Sequence, residues 1–446
     1  MLPRSTEYEQ LHSTRREFLK KAAVASAGAA LSIPAVSYGR IIGANDQINL
    51  GIIGMGRQAR GLMHDFNTEP GAGVVAVAEV YEPNAGWAKQ ASPEIEVYAD
   101  LRRLLDRDDI DAVIVATPDH WHAAATVMAA DAGKDVYVEK PTARSIKESR
   151  AMVEAARRNE RIIQVGTQQR SQRHFQEAVE FIRAGGLGEV SFARTWNYGN
   201  EFPNGIGIAS ESDPPPGLDW EMWLGPAPRV PFSANRFGVL LDDDLRFQRW
   251  STWRYFWDYG GGFMTDWGTH LLDIVQWAMD VEYPEVVTAV GGKFYVQDDR
   301  DTPDTLTATY RYPTFIATYE NRALNNHQLE GRGYGIMFHG TKATLVIDRQ
   351  GYEVIPQPNS DVVAVRNEQN DAPVSHPRHF LDAMRSRSLP NNDIEIGHRS
   401  TSAAILGNIA YRTGRAIHWD GAGEAIVNDP EAEAYLSVEY RGPWSL

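Results

Sequence analysis

The chain has 446 residues, of which 43% are hydrophobic and 23% charged, and this composition is typical of a globular protein of two or three domains. The absence of cysteine excludes disulfides, thiolate zinc sites and thiol nucleophiles. A formal net charge of -15 disfavours nucleic acid and anionic membranes as partners.

The N-terminal segment, residues 1–38, has the pattern of an export signal. Arg15 and Arg16 precede a weakly apolar run over residues 22–33, which Pro34 ends. A transmembrane helix needs about 20 strongly apolar residues, so this shorter run predicts a removed signal peptide and no membrane anchor. The pattern resembles a twin-arginine signal and predicts a periplasmic or otherwise exported protein. The alternative is an ordinary amphipathic basic N-terminus.

Apolar runs alternate with helical patterns over residues 45–168. The runs are "INLGII", "GVVAVAEV", "DAVIVAT", "DVYVEK" and "RIIQVG". Strands that are covered on both faces have such continuous apolar stretches. The pattern therefore predicts an α/β fold that begins with a doubly wound parallel sheet, a Rossmann domain that binds NAD(P).

The pattern of apolar and polar residues changes over residues 169–420, where we expect a second, α+β domain. Its main feature is a series of strands with short connections, "TLTATYRY", "TFIATYE", "GIMFHG" and "ATLVID", which indicates a mostly antiparallel sheet. Helices are predicted at residues 172–184, 262–279, 377–387 and 397–414, with a strand at 190–196 and a long Pro- and Gly-rich stretch at 202–237. Residues 421–446 are predicted to be a C-terminal tail.

The turn after the first apolar run fits the pattern G-x-G-x-x-A. Its residues are Gly54, Gly56, Arg57, Gln58 and Ala59. Small residues allow the backbone to approach a pyrophosphate at the N-terminus of the following helix. Glu79, 20 residues after Ala59, ends the next strand, where a carboxylate accepts from ribose hydroxyls and repels a 2′-phosphate. NAD is therefore the predicted cofactor, and Arg57 keeps NADP as an alternative. A Gly-rich turn without a nucleotide is the other interpretation.

Two further motifs carry residues suited to hydride transfer. Lys140, in "YVEKP", follows a strand at the carboxyl edge of the sheet, where a lysine can stabilise an alkoxide. Asp266 and His270, in "GGGFMTDWGTH", are four residues apart, so we expect them on one helix face with the carboxylate orienting the histidine as a base. An exposed edge lysine, a helix-surface pair and a pair of metal ligands are the alternatives. A metal would need a third or fourth ligand beside Asp266 and His270, and no metal is predicted.

Taken together, "GIIGMGRQA", "VATPDHWHA", "VEKP", "GTQQR", the GGG-x3-D-x3-H segment, "HFLDAMRS" and "GHRS" resemble the Gfo/Idh/MocA family in its exported branch, over residues 45 to about 415. The resemblance implies a C-terminal domain with an open sheet that mediates homo-oligomerisation, as a dimer or tetramer. It implies that Lys140, Asp266 and His270 are catalytic, and that the Lys140–Pro141 peptide is cis. His270 stands where the exported glucose-fructose enzyme has Tyr, so the chemistry is expected to be nearer to the inositol dehydrogenase type.

The residues expected to contact the cofactor and the substrate follow from these motifs. The predicted cofactor-binding residues are Gly54, Gly56, Arg57, Gln58, Ala59, Glu79, Thr117, Pro118, His122, Glu139, Lys140 and Gln168. The predicted substrate-binding residues are Arg170, Asn197, Trp253 and Arg254.

The leading hypothesis is an NAD(P)-dependent oxidoreductase that acts on a secondary hydroxyl of a sugar or cyclic polyol, with a tightly bound, self-recycled cofactor. One alternative is an NAD-dependent glycosidase that works by transient oxidation, elimination and re-reduction. A second is a non-catalytic sugar-binding protein, which would not need Lys140 and His270 together.

Overall fold

The computed structural model describes residues 47–240, 247–249, 251–368 and 375–446. The predicted signal peptide, residues 1–38, lies outside them. Within these ranges, no helix combines the length and the apolar character required to cross a bilayer.

The N-terminal domain is built on a six-stranded parallel sheet in the order β3-β2-β1-β4-β5-β6. Its strands are β1 (Ile48–Ile53), β2 (Ala72–Ala78), β3 (Glu96–Tyr98), β4 (Ala112–Val115), β5 (Asp135–Val138) and β6 (Ile163–Val165). The connecting helices are α1 (Arg57–Thr68), α2 (Glu82–Ala91), α3 (Leu101–Leu105), α4 (Asp119–Asp131) and α5 (Ile146–Arg158). The predicted Rossmann sheet is confirmed. The sequence pattern missed β3, which has three residues and no buried face.

The second sheet has ten strands, in the order β16-β15-β14-β13-β7-β12-β11-β10-β17-β18. Its strands are β7 (Val190–Tyr198), β10 (Val286–Gly292), β11 (Thr305–Arg311), β12 (Ile316–Arg322), β13 (Tyr334–Gly340), β14 (Ala343–Asp348), β15 (Gly351–Pro356), β16 (Val365–Glu368), β17 (Ile417–Asp420) and β18 (Ala425–Ile426). A two-stranded ribbon joins β8 (Val239–Leu240) and β9 (Phe247–Arg249). Every pair in the large sheet is antiparallel except β7 with β12, so the mostly antiparallel sheet is confirmed.

The helices that follow the first domain pack in different cores: those over residues 173–183, 268–279 and 394–413 pack with the large sheet, and that over 376–386 packs with the first domain. They are α6 (Arg173–Arg183), α7 (Trp220–Leu224), α8 (Ala234–Phe237), α9 (Gly262–Asp266), α10 (Gly268–Met279), α11 (His376–Ser386), α12 (Ile394–Thr413) and α13 (Pro430–Glu433). Helix α11 belongs by sequence to the second domain, but its Phe380 packs edge-on against Phe66 of α1 and Tyr137 of β5. Residues after 375 therefore complete the core of the Rossmann domain.

The prediction of one continuous helix over residues 262–279 was wrong. Helix α9 ends at Asp266 and α10 begins at Gly268, with Trp267 between them. At this break, the Asp266 carbonyl oxygen accepts a hydrogen bond of 2.9 Å from Lys140 Nζ. The break thus places a backbone acceptor beside the lysine of the other domain.

Candidate active site

A cavity of about 520 Å³ lies at the carboxyl edge of the parallel sheet, between the Rossmann domain and the second domain. This volume is within the ordinary range for a small-molecule site. Most of the predicted site residues line it, namely Gly54, Gly56, Arg57, Gln58, Glu79, Thr117, Pro118, His122, Glu139, Lys140, Gln168, Trp253, Arg254, Asp266 and His270. The structure therefore brings together motifs that lie as far apart in the chain as residues 54 and 270.

The glycines of the first turn differ in what they do. Gly54 has a φ of +85°, and a Cβ on it would lie 3.0 Å from Thr117 Cα, so both backbone conformation and space require glycine. Gly56 precedes α1, and a Cβ on it would meet nothing within 4 Å, so the space in front of the helix N-terminus is open. An anion can approach the first N–H groups of the helix there.

Ala59, the third small residue of the motif, does not line the cavity. It is fully buried on the inner side of α1, in the core of the Rossmann domain. Its small side chain allows the helix to pack closely on the sheet, which is a structural role and not a cofactor contact.

Glu79 follows β2, and backbone N–H groups hold its carboxylate. Its carboxylate accepts hydrogen bonds from the Met55 N–H, at 2.6 Å, and from the Tyr81 N–H, at 2.8 Å. Burial raises the pKa of Glu79, and these donors act in the opposite direction. Each oxygen keeps a lone pair for a ribose hydroxyl, so the open turn and this carboxylate fit a dinucleotide.

The remaining predicted cofactor residues support the same wall. Glu139, at the end of β5, accepts a hydrogen bond of 2.9 Å from Gln58 Nε2. The two ring nitrogens of His122 lie 2.7 Å from Pro141 O and 3.0 Å from Thr117 O, and burial lowers the pKa of His122 to about 4. A neutral imidazole carries one N–H, so His122 donates to one of these two carbonyl oxygens at a time.

Lys140 and Asp266 form the central ion pair of the cavity. Lys140 Nζ donates to Asp266 Oδ1 at 2.7 Å, and the Lys140–Pro141 peptide is cis, as predicted. Arg254 holds the same carboxylate, with Nε 3.2 Å from Oδ2 and Nη2 3.3 Å from Oδ1. Burial raises the pKa of Asp266, but Arg254 and Lys140 together outweigh it and hold that pKa well below its usual range. Asp266 is thus a fixed negative charge.

His270 does not make the pair with Asp266 that the sequence predicts. The Asp266 carboxylate accepts its hydrogen bonds from Lys140 and Arg254, and among the described residues it has no hydrogen bond to His270, so the predicted carboxylate–histidine orientation is absent. The residue His270 is 5% exposed, and its buried Nδ1 has no hydrogen-bond partner. Burial, and then the charge of Lys140, lower the pKa of His270 well below its usual value. A neutral imidazole at physiological pH can accept a proton.

Asp119 lines the cavity but was not among the site residues predicted from the sequence. It begins α4 directly after the Thr117-Pro118 turn, with only 5% of its surface exposed. Burial raises the pKa of Asp119 to about 8, although Arg254 acts in the opposite direction. Its position after β4, at the same sheet edge as Lys140, is a signal that sequence reasoning can use.

Two of the four predicted substrate residues lie away from the cavity. Arg170 points into the protein interior, where its Nε lies 2.8 Å from Asp273 Oδ2 and its guanidinium stacks on Trp277. Asn197 lies near the end of β7, in the middle of the large sheet, in register with Asn321 and Tyr334. Trp253 and Arg254 do line the cavity, and the Arg254 guanidinium lies 5.1 Å from the Trp253 ring centre.

The alternative interpretation, that Asp266 and His270 bind a metal, requires further ligands near these two side chains. Within the described ranges, no group of three or more His, Asp or Glu side chains is arranged to hold a metal ion.

A parallel sheet in Rossmann order, an open glycine turn before a helix and an acidic residue after β2 define an NAD-binding protein of the oxidoreductase class. The chain matches the model of an oxidoreductase family with an NAD-binding Rossmann fold over residues 48–167. It matches the model of the C-terminal alpha/beta domain of that oxidoreductase family over residues 190–446. The chain therefore belongs to the Gfo/Idh/MocA family.

Curated relatives match a part of the chain. A scyllo-inositol 2-dehydrogenase (NAD(+)) from Bacillus subtilis is 34% identical over 149 residues, which are 32% of this chain and 42% of the relative. A glycosyl hydrolase family 109 protein from Shewanella baltica is 31% identical over 201 residues, 40% of this chain and 44% of the relative. The chain thus matches about two fifths of the length of these relatives.

Solved structures match most of the fold. A levoglucosan dehydrogenase in complex with NADH and levoglucosan has a TM-score of 0.63 at 18% identity and covers 83% of this chain and 99% of its own. An aldose-aldose oxidoreductase from Caulobacter crescentus has a TM-score of 0.61 at 21% identity and also covers 83% and 99%. At these identities the likeness supports the fold alone.

Proposed function

We propose that the protein is an NAD-dependent oxidoreductase that acts on a secondary hydroxyl of a sugar or cyclic polyol. The observation that carries the proposal is the Lys140–Asp266 ion pair beside a buried, neutral His270, in the same cavity as the glycine turn. Curated relatives that include an inositol dehydrogenase support the choice of a polyhydroxylated substrate.

In the proposed reaction, residues of the chain transfer the proton and stabilise the charge on the substrate oxygen. His270 accepts the proton of the reacting hydroxyl, because burial and the charge of Lys140 keep its imidazole in the neutral form that can take up a proton. Lys140, anchored by Asp266, donates a hydrogen bond to the same oxygen and stabilises the negative charge that develops on it. A bound nicotinamide supplies the hydride acceptor. Arg254 fixes Asp266, and the Trp253 ring offers an apolar surface to a sugar face.

We also propose that the cofactor stays bound between turnovers. Residues 217–225 of the second domain, here called the covering segment, bridge the loops on both sides of the glycine turn. The Glu82 N–H donates to Gly217 O and the Asp219 N–H donates to Val80 O, each at 2.9 Å. On the other side, Trp121 Nε1 donates to Trp223 O at 2.9 Å. Dissociation of a dinucleotide would require these bonds to open.

The C-terminal tail reinforces the covering segment. Arg441 Nη2 donates to Gly225 O at 2.8 Å, and the Trp444 ring packs edge-on against Trp121 with 4.7 Å between ring centres. A retained cofactor must be returned to its starting state by a second substrate or by the product itself, so the proposal includes self-recycling.

A glycosidase that oxidises, eliminates and re-reduces its substrate is the second candidate. It uses the same Lys140 and His270 and is favoured by the curated relatives named as glycosyl hydrolase family 109 proteins. Release of an aglycone without net oxidation separates this reaction from a dehydrogenase. A non-catalytic sugar-binding protein is the third candidate. It would show neither release of an aglycone nor oxidation of the sugar.

Export and assembly are also proposals. Arg15 and Arg16 in the N-terminal pattern support export of the folded, cofactor-loaded protein by the twin-arginine route to the periplasm.

The large sheet leaves apolar side chains exposed, among them Val290 at 78% and Ile316 at 42%. Such a surface is consistent with a homodimer or homotetramer, and light scattering of the purified protein tests it.

The test of the enzymatic proposal is the absorbance spectrum of purified protein before and after addition of candidate sugars and polyols, followed by rapid mixing. We expect one reduction of bound nicotinamide per subunit, and a rate lower by about 10² to 10⁴ in His270→Ala and in Lys140→Ala. Both variants should keep the nucleotide. Unchanged rates in both variants would assign the chemistry to other residues.

A further inference from the structure

Arg349 occupies a conspicuous position in the cavity and has no role in the reaction described above. It directly follows β14 and lines the cavity together with Trp267 and His270. Its guanidinium carbon lies 5.1 Å from the centre of the Trp267 ring, and Trp267 packs in turn on Tyr334, with ring centres 4.7 Å apart. These stacked groups restrict the guanidinium to one wall of the site.

The Arg349 side chain has no counterion in the part of the chain that the structure describes. Its Nε is buried without a hydrogen-bond partner, and burial lowers its pKa. The preceding Asp348 is already engaged, because its carboxylate lies 2.6 Å from Arg332 Nη1. The acidic groups that act on Arg349 from a distance, Asp266 and Glu139, are bonded to Lys140 and Gln58 respectively.

A partly buried cation without a partner is unfavourable, and a bound anion removes that penalty. At this end of the cavity Lys140, Arg254 and Arg349 carry positive charge, and Asp266 is the carboxylate that pairs with the first two. The protein as a whole has a formal net charge of -15, so a cationic wall is opposite in sign to its average surface. The local field there favours an anionic ligand.

We infer that Arg349 binds the carboxylate of an acidic sugar or polyol, of the uronate or aldonate class, and holds it with a hydroxyl at His270 and Lys140. A single planar guanidinium matches a carboxylate in a bidentate arrangement, whereas a phosphate dianion is better neutralised by several donors. The inference rests on the proposed function and makes it more specific. Arg349 is a positioning residue in this assignment, since the proton transfer belongs to His270.

Binding is measured first on protein whose bound nicotinamide is kept reduced, so that a sugar acid cannot be oxidised. The readout is intrinsic tryptophan fluorescence, to which Trp267 beside Arg349 contributes. The probes are D-glucuronate, D-gluconate, D-galacturonate, D-glucose and D-glucose 6-phosphate. We expect at least one sugar acid to bind the wild type at least tenfold more tightly than glucose. Arg349→Gln should lose about 10- to 100-fold for that acid and less than twofold for glucose, because one charge-assisted bidentate contact disappears.

Two further variants separate charge from structure. Arg349→Lys should restore part of the affinity for the acid, and Arg366→Gln, whose side chain is 74% exposed on β16, should change nothing. Preference of the wild type for glucose or glucose 6-phosphate, equal losses for acid and neutral sugar, or a loss of nicotinamide nucleotide instead would each overturn the inference. Binding of acids that depends on Arg349, without reduction of bound nicotinamide by any probe, would instead contradict the proposed oxidoreductase function.

Discussion

Lys140 Nζ lies 2.7 Å from the carboxylate of Asp266, and its second bond, to the Asp266 carbonyl oxygen, is 2.9 Å long. A lysine at the edge of the Rossmann sheet is thereby locked to the break between two helices of the other domain. His270 follows one turn later without a bond to that carboxylate. Asp266 therefore anchors Lys140, and His270 stands apart from this ion pair.

Asp266→Asn should lower the rate of nicotinamide reduction by about 10² to 10³, because an amide cannot hold the ammonium of Lys140 in place by charge. Substrate and nucleotide affinities should change much less. Single-turnover kinetics provide the measurement, and Asp106→Asn, with a side chain 69% exposed, is the matched control. A rate within threefold of the wild type would show that Lys140 does not depend on this anchor.

Asp119 should make stability fall as pH rises. Its pKa in the folded protein is about 8, above the ordinary value of 3.8, so the folded state retains a proton that the unfolded state loses over this interval. The stabilising effect is full below pH about 4 and is lost as pH approaches about 8.

Asp119→Asn, which is neutral at every pH, should therefore raise the melting temperature at pH 8 and leave it nearly unchanged at pH 4. Thermal unfolding across this range is the measurement, with the half-exposed Asp131→Asn as the control. A larger gain at pH 4 than at pH 8 would contradict the raised pKa.

The parallel strands could be predicted because each is a contiguous apolar run, and the glycine turn could be predicted because its motif is contiguous in the sequence. Side-chain direction is harder to predict, as Arg170 shows: its motif lies beside the cleft, but a buried partner, Asp273, 103 residues away, turns it inward. Arg349 was missed because nothing in the sequence links it to the motifs of the site. It follows a strand 79 residues after His270, and the sheet topology alone brings the two together.

Cofactor choice should depend on Glu79. Glu79→Ser shortens the side chain that the Met55 and Tyr81 N–H groups hold in place, so NAD should lose affinity and discrimination against NADP should fall by about 1 to 3 kcal/mol. Nucleotide titration of stripped protein gives both dissociation constants, with the exposed Glu94→Ser as the control. Unchanged selectivity would assign cofactor choice to another group, such as Arg57.

Export should require the paired arginines. Changing Arg15 and Arg16 to Lys keeps the charge and removes the guanidinium pair, so full-length precursor should accumulate in the cytoplasm. Fractionation of cells that express each form provides the measurement. The reverse exchange, Lys20 and Lys21 to Arg, should export normally, and normal periplasmic yield of the double lysine variant would contradict the twin-arginine route.

Retention of the cofactor should depend on the covering segment at Gly225. Its φ is +48°, and a Cβ there would overlap the Trp121 ring, so Gly225→Ala should push the segment away from α4 and weaken the bond from Trp121 to Trp223 O. Protein purified without added nucleotide should carry nicotinamide in the wild type and little in the variant, and the variant should release it at least tenfold faster.

The matched control is Gly185→Ala, which imposes a similar φ of +78° at a position where a Cβ meets nothing within 4 Å. It should lose some stability and keep its cofactor. Given one oxidisable sugar and no acceptor, the wild type should stop after one turnover per subunit, whereas Gly225→Ala with free NAD should continue. Wild-type protein that is isolated empty and turns over steadily with added NAD would show that the covering segment does not retain the cofactor, and that self-recycling is not part of this enzyme's cycle.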